Sequence, residues 1–422
     1  MRFAHLSIIA LALVPLTHSM AQTIWSKEQL AARVEEIREE TFLHPVEWKT
    51  IPRRDGVEMM LREFRRAVPT EIDEPLHRIL SVMGMVPQER SLESLVWDLF
   101  HEQLGGFYDS GAKRLYVIDD EDTRAASSKT APQALDPERR RLILLHELTH
   151  ALVDQHSPLE EWLDLPLVQR SLDAALLRSA LVEGEAGLVM QMADLVRLGQ
   201  SPDHETLKLP QSIEEMDLSS LIVPSNEHTP WIHLRFVLPY DFGLAWIARR
   251  WQEGGWASVE AIRKHPPPSV EAIVHGTGGF ARQRDPRLPD LHPGERPVLS
   301  LEFGEVGLAV WLAGVVGPER AVRAAAGWAG DRAVLVRKRR TATSGGAGDR
   351  LVLSSSWDSR ADADQFASAA QSWLRAHPQL EWTIERHSYW VTLAITPPER
   401  DADHAIDVEE DPWDRVIFGP AQ

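Results

Sequence analysis

Leu30, Val34 and Ile37 recur at helical spacing directly after Ser26-Lys27-Glu28-Gln29, which has the form of a capping box with Ser26 as cap, so a helix starts near residue 27. Residues 22–104 read as helical throughout, with further helices over 74–83 and 92–104. The period then shortens. Residues 105–118 (Gly105-Gly106-Phe107-Tyr108-Asp109 through Leu115-Tyr116-Val117-Ile118) predict a hairpin turning at 109–113, with 113–118 as an apolar second strand. After a polar loop to about residue 135, two long helices are expected. The first is capped by Asp136 with Pro137 at its first position and runs to about His156, before Ser157-Pro158. The second runs over 167–198 and is closed by Gly199.

Residues 231–240 lead into a further helix over 242–251 that stops at Gly254-Gly255. The Pro266-Pro267-Pro268 run and the Gly/Arg/Pro-rich stretch 276–297 mark a boundary. Beyond it the pattern is α+β: helices over 301–316, 318–326 and 361–375, and strands over 333–338, 351–355, 381–385 and 390–395. The acidic tail 401–414 reads as solvated, and no repeat of fixed period is present. The expected fold is therefore α+β: a mainly helical core with a small sheet, followed by a C-terminal α+β module.

Composition sharpens this outline. A chain of 422 residues exceeds one ordinary core, and two or three domains are expected. The formal charge of −18 disfavours nucleic acid as a partner. With 0 cysteines, disulfides and thiolate metal sites are excluded, so any metal is held by His, Asp or Glu. At the N-terminus, Arg2, the apolar run 6–16 and the small residues Ser19 and Ala21 have the form of a cleavable signal peptide over 1–21, with Gln22 as first mature residue. The apolar run is too short for a comfortable membrane span. An exported protein, periplasmic or secreted and without a stable membrane anchor, is expected.

The strongest chemical signal is His146-Glu147-Leu148-Thr149-His150. Residues four apart on a helix differ by about 40° and about 6 Å, so His146 and His150 can grip one metal from adjacent turns. Glu147 then projects beside the metal's open side, where it can take a proton from water. The motif lies in an apolar run (Leu142, Ile143, Leu144, Leu145, Leu148), where two His and a Glu are costly to bury without a shared purpose. A third ligand is needed, and two candidates stand out. Glu183 lies in an apolar stretch beside Gly184 and Gly187, which would let the second helix approach the first. His156 completes the spacing H-E-x-x-H-x-x-G-x-x-H, but Val153 stands where that pattern needs a turning glycine. If the helix continues, ten residues carry His156 about 280° and 15 Å from His146. Glu183 is therefore the preferred third ligand.

His146-Glu-Leu-Thr-His150 with Glu183-Gly-Glu-Ala resembles the gluzincins, zinc metallopeptidases with H-E-x-x-H and a downstream Glu, and the run His-Glu-Leu-Thr-His-Ala-x-x-Asp is similar to the active-site helix of thermolysin-like enzymes. The resemblance covers roughly residues 106–200; the wider chain is similar to exported bacterial proteins bearing this helix pair. It implies a Zn²⁺ cofactor held by His146, His150 and Glu183, with Glu147 as general base, and strand 113–118 as the sheet edge that aligns a peptide or protein substrate. One departure is that Gly187 stands where the thermolysin-like pattern has an Asp supporting a ligand His; Asp154 or Glu185 are the substitutes. The carbonyl-polarising group is Tyr240 by preference, with His233, His228, Tyr108 and His275 as other candidates. Arg337-Lys338-Arg339-Arg340 reads as a solvated strand end, and Trp328, Trp357, Trp373, Trp382 and Trp390 as core.

The resulting expectation is a signal peptide (1–21), an N-terminal helical region (22–104), a zinc metallopeptidase-like catalytic domain (105–297) and a C-terminal α+β domain (298–422). The alternative is a non-catalytic binding or assembly protein that retains the fold.

Overall fold

A computed structural model describes residues 25–119, 137–162, 169–203, 206–207, 217–224, 228–275, 286, 290–338 and 348–398. Residues 1–21, read above as a signal peptide, lie outside these residues, as do Asp136, Arg339, Arg340 and the acidic tail. The fold is α+β, as the periodicity predicts.

Helix α1 (Lys27–Arg38) begins at the expected capping box: Ser26 Oγ accepts from Gln29 N, and the Gln29 side chain accepts from Ser26 N. The region to residue 104 is not wholly helical. Strand β1 (Glu47–Pro52) interrupts it before α2 (Arg53–Ala67), α3 (Thr70–Val82) and α4 (Leu92–Gln103). The predicted hairpin is β2 (Gly106–Asp109) and β3 (Arg114–Asp119), turned by Asp109 Oδ1 accepting from Ala112 N and by Lys113 in the left-handed region. β1 pairs in parallel with β3, giving the order β1-β3-β2. This corrects one expectation: β3, which contains most of 113–118, is the central strand, and β2 is the edge on the hairpin side. The strand that would be left for a substrate is filled by β1, a partner distant in sequence that periodicity does not disclose.

Helix α5 (Pro137–His156) carries the histidine motif and packs on β2 and β3; α6 (Leu172–Arg197) lies against it. A short helical turn (Pro230–Ile232) and a π-helical turn (His233–Val237) run into α7 (Leu238–Lys264), which continues past the expected stop with a break at Gly254 and Gly255. The glycines serve a different helix contact from the one expected. A Cβ on Gly184 would meet Gly243 O at 2.2 Å, and one on Gly243 would meet Ala180 O at 2.0 Å. The missing side chains let α6 and α7 cross at backbone contact, not α6 and α5. Gly184 lies one residue, or about 100°, round the helix from Glu183, so the two positions look at different neighbours.

The C-terminal sheet is antiparallel, in the order β4 (Glu295–Leu301), β5 (Trp328–Lys338), β6 (Asp349–Trp357), β8 (Trp390–Thr396), β7 (Glu381–His387). β4 ends at Leu301, where a helix start is expected; the helix α8 (Gly304–Val316) begins three residues later, and its first N–H groups at Phe303 and Gly304 donate to Asp331. Helices α9 (Pro318–Ala325) and α10 (Arg360–Arg375) complete the module. Trp328, Trp357 and Trp373 are buried in it, and Trp382 and Trp390 are half-buried. Arg337 is paired with Asp349 and with Glu74 of α3, so this residue is an anchor and not a solvated strand end. Among the described residues no helix is long and apolar enough to cross a membrane.

Candidate metal centre

Helix α5 passes under the hairpin with His146, Glu147 and His150 all buried, and α6 delivers Glu183 to the same point. His146 Nε2 lies 3.0 Å and His150 Nε2 3.5 Å from Glu183 Oε2. One ligand atom from each of the three residues lies within 4.8 Å of the others. The imidazoles meet edge to face, 4.6 Å between centroids. An N,N,O donor set of this kind suits zinc, with its fourth position open.

Whether these residues fit a cation can be read from what is left over. Glu147 Oε2 accepts from Tyr108 N on β2 at 2.7 Å, while its Oε1 is buried without a hydrogen-bond partner among the described residues. Burial, then the Glu183 carboxylate, push Glu147 well above the ordinary carboxylate range, opposed only by the Tyr108 N–H. Two carboxylates packed beside two imidazoles in this dry setting are a poor arrangement without a positive charge between them. The fit is good. A zinc ion held by His146, His150 and Glu183 would supply a Lewis acid and would bring the pKa of a water down to about 7.

Tyr240 comes from the first turn of α7, three residues before the Gly184–Gly243 crossing, and its ring stacks on His146 at 5.9 Å and 28°. The other candidates have employment elsewhere. Tyr108 Oη donates to Asp154 at 2.8 Å. His233 bonds Leu221 O, His228 contacts Gln103, and His275 contacts Glu305. His156 sits at the far end of α5, against Thr41 O and Glu40.

Neither substitute for the missing Asp reaches a ligand histidine. Asp154 takes Tyr108 Oη, Lys113 Nζ and Leu159 N, and so ties the hairpin to α5. Glu185 takes Arg38 Nε of α1 at 2.6 Å and Arg263 of α7. A Cβ on Gly187 meets Leu244 of α7. His146 Nδ1 is buried with no hydrogen-bond partner among the described residues.

Sequence reasoning missed Arg235. It stands in the π-helical turn, donates to Ser179 Oγ at 3.0 Å, and interacts electrostatically with Glu183. The available signal was a lone cation in the apolar run His233-Leu234-Arg235-Phe236-Val237-Leu238, the same signal that singled out Glu183.

Residues 296–411 match a family described as a domain of unknown function (DUF8575), which spans the C-terminal sheet and leaves the metal centre outside the match. No curated protein and no solved structure gives a match.

Proposed function

We propose that this chain is an exported zinc-dependent peptidase of gluzincin type, acting on peptide bonds with Glu147 as general base. The observation that carries this reading is the convergence of His146, His150 and Glu183 beside a buried Glu147 whose second oxygen has no hydrogen-bond partner among the described residues. Each residue then has a definite task. His146, His150 and Glu183 hold the metal. Glu147 Oε1 takes the proton of the attacking water and returns it to the leaving amine, while its Oε2 stays fixed on Tyr108 N. The Tyr240 hydroxyl donates to the oxygen that gains charge. The substrate backbone lies along β2, the edge strand whose N–H at Tyr108 already orients Glu147.

A second reading has its own observation: all four side chains of the centre are buried, and a sealed site suits a metal-holding assembly protein. Glu147→Gln separates the two. The peptidase reading expects the variant to keep about one zinc per chain and to lose cleavage of a generic peptide library. Equal cleavage by both forms, or cleavage by neither, favours the assembly protein.

A further inference from the structure

Arg235 is a cation placed beside the centre, within electrostatic reach of the Glu183 carboxylate. It lies in the turn His233–Val237, where the helix widens to the π form, a distortion that recurs at functional sites. Its guanidinium reaches α6 one turn before Glu183: Nη1 donates to Ser179 Oγ at 3.0 Å, and Ser179 and Glu183 are four residues apart on one helix face. It also covers the ring of Phe236 at 5.3 Å. Among the described residues, no carboxylate forms an ion pair with it. Burial lowers its pKa to about 10, opposed by Glu183, so it is charged at neutral pH.

Arg235 stands beside the helix that delivers Glu183, and a neutral hydroxyl is its hydrogen-bond partner there. The other buried carboxylates flanking the ligands on these two helices are already paired: Glu185 with Arg38 and Arg263, and Asp154 with Lys113. A half-buried guanidinium held in place by a neutral hydroxyl keeps most of its donor fork available for an anion. Holding such a group partly desolvated needs a reason, and a ligand that brings its own negative charge supplies one.

We infer that Arg235 is the docking cation for a carboxylate of the substrate, so that the proposed peptidase selects peptides presenting either a free C-terminal carboxylate or an acidic side chain close to the scissile bond. This rests on the peptidase reading and adds the substrate class to it. Arg235 acts in binding and orientation and moves no proton.

The test uses zinc-loaded Glu147→Gln protein and fluorescein-labelled hexapeptides followed by anisotropy. Two probe pairs separate the sources of the carboxylate: free acid against C-terminal amide, and central Asp against central Asn. One pair is expected to favour the carboxylate form about tenfold or more. Added Arg235→Met should bring that ratio close to one without changing zinc content. Arg235→Lys, which keeps the charge and so guards against a folding defect, should retain part of the ratio. Equal affinities within both pairs, a preference that survives Arg235→Met, or no peptide binding would overturn the assignment. Cleavage separates the two claims. If wild type cuts neutral blocked peptides in a Glu147-dependent way and no carboxylate preference exists, the peptidase reading stands and the Arg235 assignment falls. A preference without any cleavage gives the converse.

Discussion

Glu183 and Glu185 stand two residues apart on α6, equally buried, and their surroundings could hardly differ more. Glu185 has a guanidinium on each side, Arg38 from α1 and Arg263 from α7, and these hold its carboxyl down to about 2 despite burial. Glu183 faces two imidazoles and a second carboxylate. The first cluster is electrostatically complete and joins three helices. In the second, Arg235 acts on Glu183 without forming an ion pair, and we propose that a bound cation completes it. One helix thus carries a structural knot and a proposed metal centre on nearly opposite faces, told apart by what each carboxylate meets and not by how deeply it is buried.

The largest expected contrast is catalytic. Glu147→Gln should lower kcat/KM on peptides by about 10²- to 10⁴-fold, the usual worth of a positioned general base. Glu185→Gln should leave the proposed activity within a few-fold of wild type once folding is matched. Activity lost equally in both would remove the distinction between the two clusters.

Stability should divide them in the opposite sense. Glu185→Ala leaves buried Arg38 and half-buried Arg263 without their shared carboxylate and should cost about 3–5 kcal/mol in urea unfolding. Glu183→Gln, measured in the presence of chelator, should be neutral or stabilising, since it relieves a carboxylate next to Glu147. The acid limb carries the same signature. The Glu185 carboxyl is held at about 2 when folded against an ordinary 4.5, so the stability it contributes is present above about pH 4.5 and is lost as pH falls towards 2. Glu185→Gln should flatten that limb; an unchanged acid limb would mean the ion pairs do not form as described.

Gly184→Ala is a smaller perturbation, with a Cβ landing 2.2 Å from Gly243 O. The resulting separation of α6 and α7 should cost about 1–3 kcal/mol, read as a lowered urea midpoint. Gly187→Ala, whose nearest contact is an ordinary 3.8 Å to Leu244, should be nearly silent. The smallest effect belongs to His156→Ala, which should leave zinc affinity close to wild type, because His156 is engaged with Thr41 and Glu40 at the end of α5.

What could be read in the chain before folding was mostly local. The capping box at Ser26, the hairpin at Asp109, the motif helix and the C-terminal strands follow from periods and turn residues within a few positions of one another. His146, Glu147 and His150 belong to that class, being fixed relative to each other by the helix alone. Glu183 was legible through a second signal, a charged residue among apolar neighbours. What could not be read depends on partners far away. β1 takes its place beside β3 across more than sixty positions, which displaces the expected edge from β3 to β2. Gly184 announces a close helix crossing but not the identity of the helix, and the crossing with α7 is what brings Tyr240 onto His146. Arg235 carries no motif at all; only the folded arrangement sets it beside Ser179 and Glu183.

The central claim is that α5 and α6 together hold one metal ion while the neighbouring carboxylate does not take part. Elemental analysis of the purified protein, alongside Glu183→Ala and Glu185→Gln, tests it most directly. The account predicts about one zinc per chain in the wild type and in Glu185→Gln, and loss of stoichiometric zinc in Glu183→Ala. A wild type without zinc after metal-replete purification, or a Glu183→Ala protein that retains a full equivalent, would contradict it.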